Sequence, residues 1–196
     1  DKPTIYGAKI GEAGIRECID SVRNHPNSNA KLGPNQGRGI AIGYWGNAGG
    51  ESSAQLYINE DGTAVVITGH PDIGGSRASM VNIVAEKLGV DYRNVKAQIG
   101  DTNTVGISAV TGGSRVTFAA GIVVNEATDQ VISTLKARAA GIWGIDVEAV
   151  EWFDGAAHPA SPNAGDFEPL TLPELAAKAV STGGPIMAAV SKTTTG

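Results

Sequence analysis

The chain alternates between short apolar runs typical of β-strands and longer stretches whose apolar residues recur every three or four positions, as in amphipathic helices. Runs that predict strands lie at 39–45, 54–58, 63–68, 95–99 and 147–153. Stretches that predict helices lie at 11–24, 80–88, about 113–143 and about 171–180. Strands and helices interleaved in this way predict an α/β fold in the loose sense (α+β), with a mixed β-sheet layered with helices.

Turn and cap residues support several of these boundaries. Asp61-Gly62 is a hairpin-turn pair between the second and third runs. Gly89 follows the helix at 80–88, as a helix C-cap glycine does. Thr171-Leu172-Pro173-Glu174 has the spacing of a capping box with proline near the helix start, so it predicts where the last helix begins.

The sequence predicts three parts. Residues 1–36 form an N-terminal helix and a polar linker, residues 37–190 form the main domain, and residues 191–196 form a linker or a cut end. Within the first helix, Cys18 lies at helical spacing with Ile15, Ile19 and Val22, which predicts a buried structural thiol.

Two similar segments lie at helix starts. They are Gly74-Gly75-Ser76-Arg77, here the first glycine loop, and Gly112-Gly113-Ser114-Arg115, here the second glycine loop. Backbone N–H groups in a first helical turn lack internal partners, and the helix dipole adds partial positive charge there. Serine and arginine add further donors, so the loops predict a phosphate or pyrophosphate site. In the alternative interpretation the glycines only supply turns, the serines cap helices and the arginines are solvated.

The two-loop hypothesis has a geometric consequence. If both loops bind one elongated anion, they must lie on the same edge of the fold, with first-turn N–H groups directed into a common cleft. Unrelated turns have no such requirement.

Composition narrows the class of protein. Charged residues make up 18% of the chain and aromatic residues 5%, with 27 glycines, as in a globular protein with glycine-built loops. The net charge of −5 argues against a general nucleic-acid or membrane-surface binder, and no apolar run reaches the length of a membrane span. The single cysteine and three scattered histidines provide no metal-ligand spacing, so we expect no protein-ligated metal.

The order of several segments resembles the molybdenum-binding subunit of the xanthine dehydrogenase and aldehyde oxidase family. These segments are the strand at 63–68, Asp72-Ile73-Gly74-Gly75, the helix end at 85–90, Gly100-Asp101-Thr102 and the second glycine loop. The resemblance extends over about residues 37–144. In that family the first loop usually reads Glu-Ile-Gly-Gln-Gly and its glutamine bonds the pterin, whereas this chain has Gly75 at that position.

The resemblance implies a cofactor and a role. Family members bind molybdopterin with molybdenum, in bacteria often as the cytosine dinucleotide, and hydroxylate aldehydes or N-heterocycles with oxygen from water. Iron–sulfur and FAD groups are expected on partner chains or domains, in the cytoplasm. The cofactor-binding residues implied here are Gly74, Gly75, Ser76, Arg77, Asp101, Thr102, Gly112, Gly113, Ser114 and Arg115, with Ser114 and Arg115 at the pterin or phosphate end.

No catalytic residue is assigned. The family's glutamate base lies in a Gly-x-Gly-Glu-type segment that this sequence lacks, so we expect the chain to act with the remaining part of the molybdenum subunit on a small-molecule substrate. Two alternatives remain open. One is a non-enzymatic phosphate- or nucleotide-binding module without molybdenum, and the other is a structural half-domain without cofactor.

Overall fold

The computed structural model describes residues 14–43, 45–160 and 164–195. The chain divides into two units, Asp1–Tyr44 and Trp45–Gly196. The described part of the first unit contains helix α1 (Ile15–Asn24) and the short helix α2 (Pro26–Asn29). Residues 30–43 form no helix or strand and are exposed.

The first unit departs from two predictions. Cys18 is exposed, so the prediction of a buried thiol is wrong: α1 buries none of its residues, although its apolar residues share one face. The strand predicted at 39–45 is also absent from residues 39–43 and 45. Apolar alternation alone cannot form a strand there, because the backbone hydrogen bonds of a strand require a paired neighbour. Residues 11–13 of the predicted first helix and Tyr44 lie outside the described residues.

The second unit is built on a four-stranded sheet. Its strands are β1 (Gly50–Ile58), β2 (Ala64–Thr68), β3 (Val95–Ile99) and β7 (Ile186–Thr194), in the order β3-β2-β1-β7. β1 pairs antiparallel with β2 and β7, whereas β2 and β3 are parallel and are joined through a helix. The predicted mixed sheet is confirmed.

The last strand corrects the prediction for the chain's end. Residues 191–194 form the second half of β7, so the prediction of a linker is wrong for them. Their partners are in β1, where Glu51 lies opposite Thr193 and Ser53 opposite Ser191. The sequence did not predict a strand here, because these short polar residues do not alternate with apolar ones. The strand forms by pairing with β1, which lies about 140 residues earlier in the chain.

Two helices cover one face of this sheet. They are α3 (Ser76–Leu88) and α4 (Gly121–Trp143), and a π-helical turn at Val116–Ala120 leads into α4. The core lies between these helices and the sheet. It contains Leu56 and Val66 from the sheet, Val84 from α3, and Val123 and Leu135 from α4. Because side chains alternate between the faces of a strand, Ser52 and Thr68 belong to the same face as Leu56 and Val66.

A second, three-stranded sheet contains β4 (Val150–Phe153), β5 (Ala156–Pro159) and β6 (Leu170–Thr171). It starts later than predicted because Val147–Ala149 form a 3₁₀ turn capped by Asp146. The predicted capping box at Thr171 and Glu174 is confirmed, and it opens α5 (Leu172–Ala177), which α6 (Ala179–Thr182) follows. None of the helices described here is long and apolar enough to cross a membrane.

The end of α3 gives a testable feature of the packing. Gly89 has φ 72°, and a Cβ on it would lie 2.5 Å from the backbone nitrogen of Gly155 in the β4–β5 turn. Gly144, which ends α4 with φ 70°, has no atom within 4 Å of an added Cβ. We expect Gly89→Ala to lower the free energy of unfolding by about 2–4 kcal/mol, since it adds a clash to left-handed strain.

Gly144→Ala is the matched control and should cost about 1 kcal/mol, the left-handed strain alone. Urea denaturation of the two variants measures the difference. Equal losses would show that the close approach of α3 to the β4–β5 turn is absent.

Candidate functional site

One terminus of each of the four strands lies at the same edge of the sheet, where β2, β3 and β7 end and β1 begins. β2 and β3 are parallel, so both end there, and Thr68 lies opposite Ile99 in the register. β1 is antiparallel to β2, so its start lies at the same edge. Continuing the register of Ala54 and Thr68 by two residues places Ser52 opposite His70.

The first glycine loop carries its own anion. The Asp72 carboxylate accepts hydrogen bonds from the backbone N–H groups of Gly74 (3.1 Å) and Gly75 (2.7 Å). The Ser76 hydroxyl lies 3.3 Å from the same carboxylate oxygen. The bonds from Gly74, Gly75 and Ser76 hold the pKa of Asp72 below its ordinary value of 3.8. Two of the donors expected to bind phosphate are therefore satisfied within the loop.

The side chains of this loop differ in exposure. Ser76 is buried, and its one hydroxyl proton is shared between the Asp72 carboxylate and the Pro71 carbonyl, which lies 3.2 Å from Oγ. Arg77 is exposed, with its Nε 3.9 Å from Asp72, an arrangement that contributes little in solvent. A Cβ on Gly74 or Gly75 would meet no atom within 4 Å, so open space lies beside both glycines.

Gly100-Asp101-Thr102 prolongs the parallel pairing and then turns the chain. The Gly100 N–H donates to the Thr68 carbonyl at 3.2 Å. Asp101 closes the turn, since its carboxylate accepts from the Asn103 N–H at 3.0 Å and its carbonyl accepts from the Thr104 N–H at 3.0 Å. Thr102 is exposed.

Residues 104–109 then run along β1 on the sheet face opposite α3 and α4. The Gln55 amide donates to the Thr104 carbonyl at 3.3 Å, and the Ser53 hydroxyl donates to the Ile107 carbonyl at 2.9 Å. The Ala109 N–H donates to the Glu51 carbonyl at 3.0 Å. This path brings the second glycine loop to the start of β1.

The backbone of the second glycine loop is held in a left-handed conformation at two consecutive residues, Gly113 (φ 60°) and Ser114 (φ 58°). The Ala48 N–H donates to the Gly113 carbonyl at 2.6 Å. The Asn47 amide, in the orientation that satisfies both of its groups, donates to the Ser114 carbonyl at 3.0 Å. A non-glycine residue at positive φ costs about 1–3 kcal/mol and persists only where its surroundings fix it.

Arg115 is buried at the base of this loop, with 3% of its surface exposed. Its guanidinium donates to three carbonyls, those of Gly49 (2.6 Å), Ala109 (2.8 Å) and Glu51 (2.7 Å). It also donates to the Ser52 hydroxyl at 3.0 Å. These bonds hold the second glycine loop against the start of β1. The sequence suggested that Arg115 binds phosphate directly, but its guanidinium is already bonded to this part of the chain.

No carboxylate of the described residues lies within 4 Å of the Arg115 guanidinium nitrogens. Its four partners are neutral, and none of the ion pairs among the described residues includes it. Buried charges are normally paired, because removal from water is costly. An unbalanced buried cation favours the binding of an anion close by.

His70 lies beside this arginine and is 2% exposed. Its Nε2 is 3.2 Å from the Ser52 hydroxyl. Burial, followed by the charge of Arg115, lowers the pKa of His70 from its ordinary value of 6.5. The other ring nitrogen, Nδ1, is buried and has no hydrogen-bond partner among the described residues.

The predicted binding segments therefore share one edge of the sheet. The first glycine loop, Asp101-Thr102 and the second glycine loop all lie there, as the two-loop hypothesis requires. That their N–H groups face a common cleft stays a prediction. Asp72 was noted in the sequence only as part of the segment that resembles the family, and Ser52 and Asn47 were not noted. A serine at an inward strand position is a signal of a polar network.

Residues 18–195 match the sequence model of the family described as molybdopterin cofactor-binding domain. Aldehyde oxidoreductase molybdenum-binding subunit PaoC of Escherichia coli (strain K12) is 32% identical over 123 residues, which cover 61% of this chain and 16% of that protein. Aldehyde oxidase 1 of Macaca fascicularis is 30% identical over 96 residues, covering 48% of this chain and 7% of that protein.

Solved structures show a similar fold. A Cu,Mo-CO dehydrogenase in its carbon monoxide reduced state gives a TM-score of 0.66 at 22% identity, covering 72% of this chain and 18% of that one. Quinoline 2-oxidoreductase from Pseudomonas putida 86 gives 0.59 at 22% identity, covering 74% and 19%. The chain thus spans less than a fifth of the proteins it matches here.

The bonds of Arg115 predict a stability effect. Arg115→Ala should lower the free energy of unfolding by at least about 3 kcal/mol, because it leaves three carbonyls without their charged donor. The exposed Arg77→Ala is the control and should change it by no more than about 0.5 kcal/mol. Chemical denaturation of both variants compares them, and similar small effects would mean that Arg115 does not fasten the loop.

Proposed function

The chain belongs to the molybdopterin cofactor-binding domain family, and from this premise we propose that it is part of the molybdenum subunit of an oxidoreductase. The resemblance to molybdenum-binding subunits that the sequence suggested is confirmed by the family match. The proposed cofactor is molybdopterin with molybdenum, extended as the cytosine dinucleotide. The proposed reaction is hydroxylation of an aldehyde or N-heterocycle, and the name of the Escherichia coli relative supports an aldehyde.

The observation that carries this proposal is the unbalanced charge of Arg115 at the base of the second glycine loop. A pyrophosphate group would balance that charge without displacing the bonds that hold the guanidinium. Gly112 offers room for its approach, since a Cβ there would meet no atom within 4 Å. The residues present therefore fit an anionic cofactor.

The two loops have different proposed tasks. The second loop would hold the phosphate end through the backbone of Gly112, Gly113 and Ser114. The first loop already satisfies two N–H groups with Asp72, so its open glycines would accept a flat, uncharged part of the cofactor.

When bound, the molybdenum cofactor supplies the two-electron oxidation, with water as the source of oxygen. This chain binds and orients that group, and the general base would come from the remaining part of the molybdenum subunit. Iron–sulfur and flavin partners would receive the electrons, and we propose that the assembly works in the cytoplasm.

A nucleotide-binding module without molybdenum is the second candidate. It is favoured by Gly75, which replaces the glutamine that the family resemblance implies. Only the metal content separates the two candidates, because both would use the second loop for phosphate.

The test uses the native complex purified with its partners. We expect molybdenum by elemental analysis and a cytosine nucleotide released by mild acid, in equal amounts. Gly112→Asp should lower both at least about tenfold by placing a carboxylate where phosphate binds, while the fold tolerates a side chain there. Gly141→Asp is the matched control, since its Cβ also meets no atom within 4 Å, and it should retain both.

The outcomes separate the candidates. A nucleotide without molybdenum would favour the second candidate over the first. A complex with neither group, or a Gly112→Asp complex with full cofactor content, would contradict the proposed binding site.

A further inference from the structure

A chain of hydrogen bonds links the second glycine loop to the segment that opens the first. Arg115 donates to the Ser52 hydroxyl at 3.0 Å, and that hydroxyl lies 3.2 Å from Nε2 of His70. His70 directly precedes Pro71-Asp72, which leads into the first glycine loop. All three residues of this chain are buried.

Ser52 can bond to Arg115 and to a neutral His70 at the same time. Its oxygen accepts a hydrogen bond from Arg115, whose guanidinium can only donate, and it keeps its own O–H donor and a second lone pair for His70. A neutral imidazole can therefore bond to Ser52 through Nε2 in either tautomer.

Protonation of His70 would remove this freedom. Nε2 could then only donate, so the Ser52 oxygen would face donors from two cations. An imidazolium would also lie beside the guanidinium of Arg115, whose charge already acts on it. The nearest carboxylate in sequence, Asp72, is turned to the N–H groups of Gly74 and Gly75, and Glu51 is exposed beside Ser52.

We propose that His70 is a positioning residue of the cofactor site, which holds Arg115 and the second glycine loop through Ser52 only while its imidazole is neutral. This inference rests on the proposed function. It makes cofactor retention sensitive to acid, with loss of the cofactor when His70 takes up a proton.

The direction of the pH effect follows from burial. The pKa of His70 is lowered below 6.5, so the folded chain keeps the imidazole neutral at pH values where an unfolded chain begins to protonate it. The stabilising arrangement is fully present above about pH 6.5 and is lost as the pH falls through the lowered value.

The experiment measures molybdenum and nucleotide content of the native complex after gel filtration at a series of pH values that fall from about pH 7.5. Wild type should retain the cofactor at the start of the series and lose it as the pH falls through the lowered pKa of His70. His70→Gln provides an amide that can bond to Ser52 and cannot titrate, so it should retain the cofactor to lower pH than wild type. His70→Leu removes the hydrogen-bonding partner of Ser52, so its cofactor content should be about tenfold below that of wild type already at about pH 7.5.

His158→Gln is the matched control. His158 also has a buried ring nitrogen without a partner among the described residues, but it stacks on Phe153 within the second, three-stranded sheet. It should follow the wild-type profile.

A His70→Gln complex with the wild-type pH profile would overturn the inference, as would a His70→Leu complex with full cofactor content. If the leucine variant does not assemble, the glutamine variant alone decides. A wild-type complex without cofactor at about pH 7.5 would instead contradict the proposed function itself.

Discussion

The arrangement of the candidate site depends on the buried guanidinium of Arg115. Its bonds to the carbonyls of Gly49, Glu51 and Ala109 join the start of β1, the end of the 104–109 segment and the beginning of the long helix. The Glu51 carbonyl also accepts from the Ala109 N–H, so it joins the 104–109 segment and Arg115 directly. The second glycine loop can keep its left-handed backbone because these three chain segments cannot move apart.

Electrostatics then distinguishes the two glycine loops, although their sequences are almost the same. Asp72 precedes the first loop in the chain, and its carboxylate accepts hydrogen bonds from two of the loop's N–H groups. The second loop has a buried cation with neutral partners. The two loops lie at the same edge of the sheet, one bonded to a carboxylate and the other next to a buried cation. This pair suits a ligand that has an uncharged ring at one end and phosphates at the other.

Local features of the fold could be predicted from the sequence, and long-range features could not. The Asp61-Gly62 hairpin, strand β2 and the Thr171 capping box follow from a few adjacent residues. β7 could not be recognised, because its polar half becomes a strand only by pairing with β1. At the site, the loops and their common edge were predictable. The role of Arg115 was not, since an arginine that binds phosphate and one that binds carbonyls look alike in sequence.

The most direct test is an experimental structure of the native complex with its cofactor. We expect phosphate oxygens within hydrogen-bonding distance of backbone N–H groups at 112–114, with Arg115 still bonded to the Gly49 and Glu51 carbonyls. A cofactor that contacts neither glycine loop would contradict this account. So would a guanidinium turned away from β1 and bonded directly to phosphate.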